Sequence, residues 1–250
     1  MMDLLQHLIP DFAHMFSANP NGISAWFWLV TALIFGFSLF FLMLHFRHFK
    51  ARMRALRSLL DGQSKDTLAA SRRETLHKAQ ELKASNVGML WREFDESLVQ
   101  SSDQQKLFNT LDAEHFFNAR TLASGLTASR LLAAAPSFLV AVGVLGTFVG
   151  LTVGLEGLVG TSDEIEALKG GINKLISGAA VAFMTSVWGV AFSLLLNIIE
   201  KMFERSALID IQRLQHDIDF LYPRIPAEQS LVHIAEYGKE SKEALQELHE

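Results

Sequence analysis

The chain has 250 residues, of which half are hydrophobic and 20% are charged, and it contains no cysteine. The stretches 23–46, 131–155 and 175–199 contain no Asp, Glu, Lys or Arg, and at about 1.5 Å per residue each would exceed the ~30 Å hydrocarbon thickness of a bilayer as a helix. An ordinary soluble enzyme, a disulfide framework and a thiolate metal site are therefore excluded. The net charge of -5 gives no reason to expect direct binding of nucleic acid.

The first charge-free stretch predicts a transmembrane helix over 23–46, preceded by an external segment over 1–22. No Lys or Arg precedes this helix, and it is too long for the apolar region of a signal peptide, so we expect it to be retained. Short flanks rich in Lys and Arg stay in the cytoplasm, so we expect the N-terminus outside. The basic residues that follow, with no acidic residue among them, are Arg47, Lys50, Arg52, Arg54 and Arg57.

Residues 47–130 are polar and predict a cytoplasmic domain of two or three helices, because apolar residues recur near helical spacing. Asp61-Gly62 and Ser101-Ser102-Asp103 are the expected breaks between them. Glu93 and Glu96 stand one helical turn apart and would contribute to a Ca²⁺ site if a neighbouring segment added oxygen ligands. The alternative to this metal hypothesis is a solvated acidic face that Arg92 partly neutralises.

The other two charge-free stretches predict transmembrane helices over 131–158 and 173–199, joined by an external loop over 159–172. This loop carries more acidic than basic residues, as expected of a segment outside the cell. Both helices carry small residues at spacings of three and four, which let another helix approach closely. The residues expected to pack against other helices rather than lipid are Gly143, Gly146, Gly150, Gly178 and Gly189.

Hydroxyl groups are the candidate functional side chains of this helix pair. Thr147 and Ser186, with Thr185 as a secondary candidate, would line an ion path, although most Ser and Thr in membrane helices only bond the carbonyl one turn back. A hydroxyl can coordinate a cation or relay a proton, but it holds no titrating charge at neutral pH. Since the span cores contain no Asp, Glu, Lys or Arg, a carboxylate would have to come from a partner.

The third helix is expected to continue in the cytoplasm over 200–222, until Pro223 and Pro226 end it. Heptad-like positions between Leu231 and Leu248 indicate that 223–250 is the start of a tail, either the root of a coiled coil or a frayed end. The predicted fold class is an all-α membrane protein with three transmembrane helices. Its N-terminus is expected outside and its C-terminus inside, with a helical cytoplasmic domain.

The sequence LGTFVGLTVGL, after an Ala-Pro pair, together with GAAVAFMTSVWGVAFS, resembles the two-helix core of the MotA/TolQ/ExbB proton-channel family. Ser186 stands where that family commonly has threonine, which keeps the hydroxyl. The segments GTFVGLT and FMTSVWG are most similar to those of the ZorA branch, which belongs to the Zorya anti-phage defence systems. Proteins of that branch have a much longer cytoplasmic tail, so we expect this chain to be truncated or short-tailed. The residues that match the two family motifs are Gly143, Gly146, Thr147 and Gly150, then Thr185, Ser186 and Gly189.

The resemblance implies a pentameric, ring-forming subunit of an ion-driven rotary motor or stator in the bacterial inner membrane, active in anti-phage defence. Such a ring converts a flux of H⁺ or Na⁺ into rotation or torque. The implied partners are single-span, ZorB-like subunits, each with a membrane aspartate and a peptidoglycan-binding domain, besides lipid and cytoplasmic effectors reached through the tail. Thr147 and Ser186 would face the partner's aspartate.

Neither a phosphate-binding loop nor a known catalytic motif occurs in the sequence, so we expect neither an enzyme nor a resident cofactor. A secondary transporter is disfavoured because the three spans show no inverted repeat. The alternative function is a non-conducting oligomeric membrane scaffold that presents its cytoplasmic tail to partners.

Overall fold

The structure is a computed structural model of the chain, and it describes residues 20–82, 86–101, 106–156 and 165–225, with a few residues of the tail between 235 and 242. The chain divides into two compact units. The span unit comprises Met1–His45 and Ala128–Glu204, and the domain unit comprises Phe46–Thr127 and Arg205–Glu250.

Helices dominate both units, as the sequence predicts. The longer helices are α1 (Pro20–Leu60), α2 (Leu68–Glu81), α3 (Val87–Glu96), α7 (Arg130–Glu156) and α8 (Ile165–Leu221), and three single-turn helices are α4 (Ala113–Phe116), α5 (Ala119–Leu122) and α6 (Ser124–Thr127). Two short strands, β1 (Leu98–Gln100) and β2 (Leu107–Asn109), complete the described elements.

Three of the described helices, α1, α7 and α8, are long and apolar enough to cross a membrane, which confirms the prediction of three such helices. Helix α1 ends at Leu60, and Gly62 follows with a φ of 73°, in the left-handed region that favours glycine. The predicted break at Asp61-Gly62 is therefore confirmed. The inside–outside orientation stays a prediction.

Helix α8 is longer at both ends than the predicted third span over 173–199. It begins at Ile165, inside the segment expected to be the external loop, and it runs without interruption to Leu221. Helix α8 thus continues past residue 199 and ends before Pro223, and proline explains the end because it has no N–H and clashes with the preceding turn. The rest of the expected loop, 157–164, lies outside the described residues.

The span unit has an apolar core formed by all three long helices. Ala135, Leu139 and Leu196 are buried there, and Phe35 of α1 stacks on Phe192 of α8 with ring centroids 5.0 Å apart. Trp28 meets Trp188 edge to face at 6.0 Å. One face of α1 therefore packs on α8, while its other side leaves large apolar residues exposed, as a lipid-facing surface requires. These exposed residues include Leu33, Phe37 and Phe40.

The domain unit is less regular than the two or three helices predicted for it. Helices α2 and α3 are followed by an antiparallel hairpin of β1 and β2, in which Val99 pairs with Phe108, and then by the single-turn helices. The prediction missed the hairpin because its strands have only three residues each, too short for a period-2 pattern to be recognised. The expected break at Ser101-Ser102-Asp103 falls largely outside the described residues.

An aromatic cluster in the domain unit holds the C-terminal end of α8. Tyr222 is buried against Phe94, with ring centroids 5.1 Å apart, and Trp91, Phe116 and Phe117 complete the cluster. Such edge-to-face aromatic pairs add to the stabilisation that comes from burying their surface. The segment after α8 is therefore anchored by packing.

Backbone hydrogen bonds also fix this segment against β2. The Asn109 N–H donates to the Pro223 carbonyl at 3.0 Å, and the Ile225 N–H donates to the Asn109 carbonyl at 3.1 Å. Arg224 forms an ion pair with Asp112 at 2.7 Å. The segment after α8 is thus fixed against β2 up to residue 225. Most of the heptad positions predicted beyond it lie outside the described residues.

Candidate functional site

A glycine seam joins α7 and α8. A Cβ placed on Gly150 would lie 2.9 Å from that of Ala182, and one placed on Gly189 would lie 2.9 Å from the Cα of Gly143. The residue numbers of the facing positions increase along α7 while they decrease along α8, so the two helices are antiparallel. Glycine lets two backbones approach this closely because it has no side chain. The facing pairs of the glycine seam are Gly143 with Gly189, Gly146 with Thr185, Gly150 with Ala182, and Gly154 with Gly178.

The small residues predicted to pack on other helices therefore pack on each other within one chain. Gly143, Gly146 and Gly150 belong to α7, and Gly178 and Gly189 belong to α8. The two candidate transmembrane helices form one tight pair, and the remaining surfaces of that pair carry large apolar side chains. The exposed residues of these surfaces include Leu145, Phe148, Phe183, Val187 and Leu194.

Thr185 lies inside the glycine seam. Its side chain is buried, and its hydroxyl donates to the Ala182 carbonyl at 2.8 Å and lies 3.5 Å from the Gly143 carbonyl. A hydroxyl so placed satisfies itself on the helix backbone, which is the commonest role of threonine in a membrane helix. Of the three candidate hydroxyl residues, Thr185 is the one that the two helices enclose.

Thr147 and Ser186 flank the seam instead. Each follows a seam residue, Gly146 or Thr185, by about 100° around its helix. A Cβ on Gly143 would lie 3.3 Å from the Ser186 Cα, so Ser186 borders the contact on one side. Because the helices are antiparallel, these turns bring both side chains to the same edge of the pair. Both residues are half-buried, and the Thr147 hydroxyl donates to the Val144 carbonyl at 2.5 Å. The structure thus brings Thr147 and Ser186 to one edge.

Helix α1 covers the opposite edge of the pair. A Cβ on Gly146 would lie 3.2 Å from the Cδ1 atom of Phe27. Trp188, three residues after Thr185 and so about 60° around α8 in the other direction, packs against Trp28. The edge that carries Thr147 and Ser186, here called the hydroxyl edge, is therefore the one that α1 leaves open.

No acidic or basic side chain occurs in α7 between residues 131 and 155 or in α8 between residues 175 and 199. Glu200 stands just beyond this stretch and is buried, with 7% of its surface exposed. Glu200 is not among the sequence-predicted site residues because it marks the end of the charge-free stretch. It lies five full turns after the seam residue Ala182, so it continues the face of α8 that packs on α7.

The structure places the calcium candidates Glu93 and Glu96 on the exposed side of α3, where Glu96 pairs with Arg92 at 3.0 Å. The buried acid of this helix is Asp95, whose oxygens accept from Arg72 at 2.9 and 3.1 Å. Within the described part of the chain, no group of three or more His, Asp or Glu side chains is placed to hold a metal ion. A Ca²⁺ site at Glu93 and Glu96 would need ligands from elsewhere and stays a prediction.

Comparison with known proteins places these features in a family. Residues 13–250 match the family model described as the anti-phage protein ZorA of the Zorya type I system. The chain is 25% identical over 158 residues to a Zorya protein ZorA of Escherichia coli O139:H28 (strain E24377A / ETEC), an alignment that covers 60% of this chain and 21% of the relative.

A second Zorya protein ZorA, from Escherichia coli (strain ATCC 8739), is 35% identical over 79 residues, which cover 30% of this chain and 14% of the relative. The chain therefore aligns with a minor part of the length of either relative. The family model, in contrast, spans nearly the whole chain, including both helices of the glycine seam. The chain belongs to the family of ZorA proteins of the Zorya type I anti-phage systems.

Proposed function

We propose that this chain is the ring-forming subunit of an ion-driven rotary motor or stator in the bacterial inner membrane. Several copies surround single-span partner subunits. The number of copies is five by analogy with the MotA/TolQ/ExbB family that the sequence resembles. A flux of H⁺ or Na⁺ along the interface turns the ring or exerts torque, and the tail passes this motion to cytoplasmic effectors in anti-phage defence.

The hydroxyl edge is the observation that carries this proposal. Thr147 and Ser186 lie together on the edge that α1 leaves open, in a stretch without any charged side chain. Hydroxyl oxygens can coordinate a cation or bond its water, but the charge that binds an ion in a membrane comes from a carboxylate. The arrangement is thus half of an ion site, and a partner helix with an aspartate would complete it.

The exposed apolar surfaces of α7 and α8 support a ring as well. Phe148 and Phe183 are each about two-thirds exposed, at 67% and 68%. Lipid or a neighbouring copy of the chain would cover such surfaces, since they are unfavourable in water. The glycine seam stays within each copy, so a ring can form without rearrangement of the α7–α8 pair.

The driving force is sufficient for stepwise motion. A single charge that crosses 100 mV releases about 2.3 kcal/mol. In a symmetric ring the successive states are nearly equal in energy, so a bias of this size per ion gives the motion a direction.

Reconstitution tests the proposal. The chain is purified with the single-span subunit encoded beside its gene and placed in liposomes that contain a pH-sensitive or sodium-sensitive dye. We expect ion entry under an applied potential with the complex and none with the chain alone. Absence of flux from an intact complex would contradict the motor proposal.

A second candidate function is the non-conducting scaffold. The observation that favours it is the anchored segment after α8, where Arg224 pairs with Asp112 and Ile225 bonds to β2, because a fixed exit suits the presentation of a tail. A scaffold would assemble and protect cells from phage, yet the same complex would show no ion flux in liposomes.

A further inference from the structure

A row of exposed residues follows one side of α1, with one member at every seventh position. Seven residues make nearly two turns, and each such step shifts the position by only about 20° around the helix, so the row stays on one side of the continuous helix. Its first three members are apolar and its last two are arginines, so this side changes from apolar to basic along the chain. The members are Trp26, Leu33, Phe40, Arg47 and Arg54.

The apolar part of this row has the length of a bilayer core. Trp26 and Arg47 lie about 30 Å apart along the helix axis, which equals the typical thickness of the hydrocarbon layer. Tryptophan is enriched where that layer meets water. With Trp26 at one surface of the membrane, Arg47 therefore reaches the lipid headgroups at the other surface.

Arg54 extends this basic end back towards the membrane. Its Cα lies about 10.5 Å beyond that of Arg47 along the axis, but long side chains on a helix point towards the N-terminus. In agreement, the Arg54 Nε–H donates to the Lys50 carbonyl at 3.4 Å. The guanidinium of Arg54 thus lies nearer to Arg47 than the spacing of the two Cα atoms suggests.

The other basic residues of α1 that the sequence singles out are engaged within the domain unit. Lys50 pairs with Asp210 at 2.5 Å, and Arg57 lies 3.9 Å from the same carboxylate. Arg52 donates to a backbone carbonyl at 3.0 Å. Helix α1 itself contains no acidic residue, and among the described residues no carboxylate forms an ion pair with either arginine of the row. These two positive charges are therefore available to an anion from outside the chain.

We propose that Arg47 and Arg54 form a binding site for an anionic phospholipid of the membrane leaflet at this end of the α1 span. The lipid phosphate accepts hydrogen bonds from the guanidinium groups, whose planar donors match phosphate oxygens. Its acyl chains lie along Phe40 and Leu33, which are 62% and 63% exposed. The site selects an anionic lipid because a zwitterionic headgroup also carries an ammonium group, which the arginines repel. This inference does not depend on the motor function.

Lipid titration of the full-length chain in detergent tests this site. Native mass spectrometry measures binding of phosphatidylglycerol and of phosphatidylcholine with the same acyl chains. We expect the wild type to prefer phosphatidylglycerol, and the double variant Arg47→Gln, Arg54→Gln to bind it about 25-fold more weakly, at about five-fold per arginine. The matched control Arg73→Gln, Arg120→Gln removes two exposed positive charges outside α1 and should change binding by less than about two-fold.

Three outcomes of this titration would overturn the inference. The first is equal binding of the two lipids by the wild type. The second is unchanged binding of phosphatidylglycerol by the double variant of α1, with thermal unfolding in lipid-free detergent showing that both variants are folded. The third is displacement of the bound lipid by millimolar inorganic phosphate, which would indicate a site for free phosphate rather than for a lipid.

A fluorescent label measures where this side of α1 lies in a bilayer. Because the chain has no cysteine, Ala51→Cys takes a single label at an exposed position between the two arginines, and Ser58→Cys takes one about 10.5 Å further along the same side. In phosphatidylglycerol vesicles that contain a lipid with a nitroxide on its headgroup, we expect stronger quenching at position 51 than at position 58. Equal quenching at the two positions would overturn the inference, and so would an unquenched label at position 51, as expected if a second copy of the chain covered this side.

Discussion

The Thr185 hydroxyl occupies the space that a side chain at position 146 would need. A Cβ on Gly146 would lie 2.5 Å from the Thr185 Oγ1 atom and 2.8 Å from its Cβ. Since Thr185 is β-branched and sits in a helix, its side chain has few other rotamers to adopt. The contact between Gly146 and Thr185 therefore sets how closely α7 and α8 approach.

Substitution of Gly146 by alanine should destabilise the helix pair. Alanine favours a helix by about 1 kcal/mol over glycine, but overpacking a tight contact costs about 1–3 kcal/mol, so we expect a net loss. The measurement is thermal unfolding of the purified chain in detergent. Gly36→Ala is the matched control, because a Cβ there meets nothing within 4 Å. A melting temperature of Gly146→Ala equal to or above that of Gly36→Ala would contradict the tight contact of Gly146 with Thr185 in the glycine seam.

The ion pair of Arg72 and Asp95 should contribute strongly to the domain unit. Asp95 is buried, and Arg72 donates to both its carboxylate oxygens and to its backbone carbonyl at 2.7 Å. Removing one partner leaves a buried charge, so Arg72→Ala should cost about 3 kcal/mol. Hydrogen exchange of the α3 amides would measure the loss.

The control for this pair is Arg92→Ala, which breaks the exposed pair with Glu96 on the same helix. Exposed pairs of this kind contribute only about 0.3–0.5 kcal/mol. Equal effects of the Arg72 and Arg92 substitutions would show that burial of Asp95 does not matter.

Tyr222 should make the domain unit sensitive to alkaline pH. Burial, followed by the charge of Asp95, raises the pKa of Tyr222 above its ordinary value of 10.0. Above pH 10 the unfolded chain releases the phenol proton while the folded chain keeps it, so the free energy of unfolding falls as pH rises. We expect the melting temperature to fall as the pH rises above about 10.

Tyr222→Phe should reduce that decline and change stability little at pH 7, because the ring that packs on Phe94 is kept. An identical alkaline loss in the wild type and in Tyr222→Phe would assign the pH dependence to other groups.

The sequence predicts the long helices well because their signals are local. The charge-free stretches, Gly62 after α1 and Pro223 after α8 each act within a few residues, and the structure agrees with them. Strand β1 instead depends on pairing with β2. Strand β2 in turn bonds to the segment after α8, which lies more than a hundred residues further along the chain. Such contacts leave no period in the sequence.

The sequence identifies the residues of the candidate site but not how the two helices that carry them face each other. The motif spacing identifies Thr147, Thr185 and Ser186, but only the facing of α7 and α8 separates the enclosed Thr185 from the two residues of the hydroxyl edge. Likewise, spacing on α3 drew attention to Glu93 and Glu96, whereas tertiary packing buries Asp95.

Ion flux through the double variant Thr147→Ala, Ser186→Ala tests whether the hydroxyl edge lines the ion path. The control is Thr152→Ala, since Thr152 is an exposed residue of the same helix whose hydroxyl donates to the Phe148 carbonyl at 2.8 Å. In liposomes with the single-span partner, we predict that the double variant assembles but loses flux, while Thr152→Ala conducts like the wild type. Wild-type flux in the assembled double variant would contradict a role of Thr147 and Ser186 in the ion path.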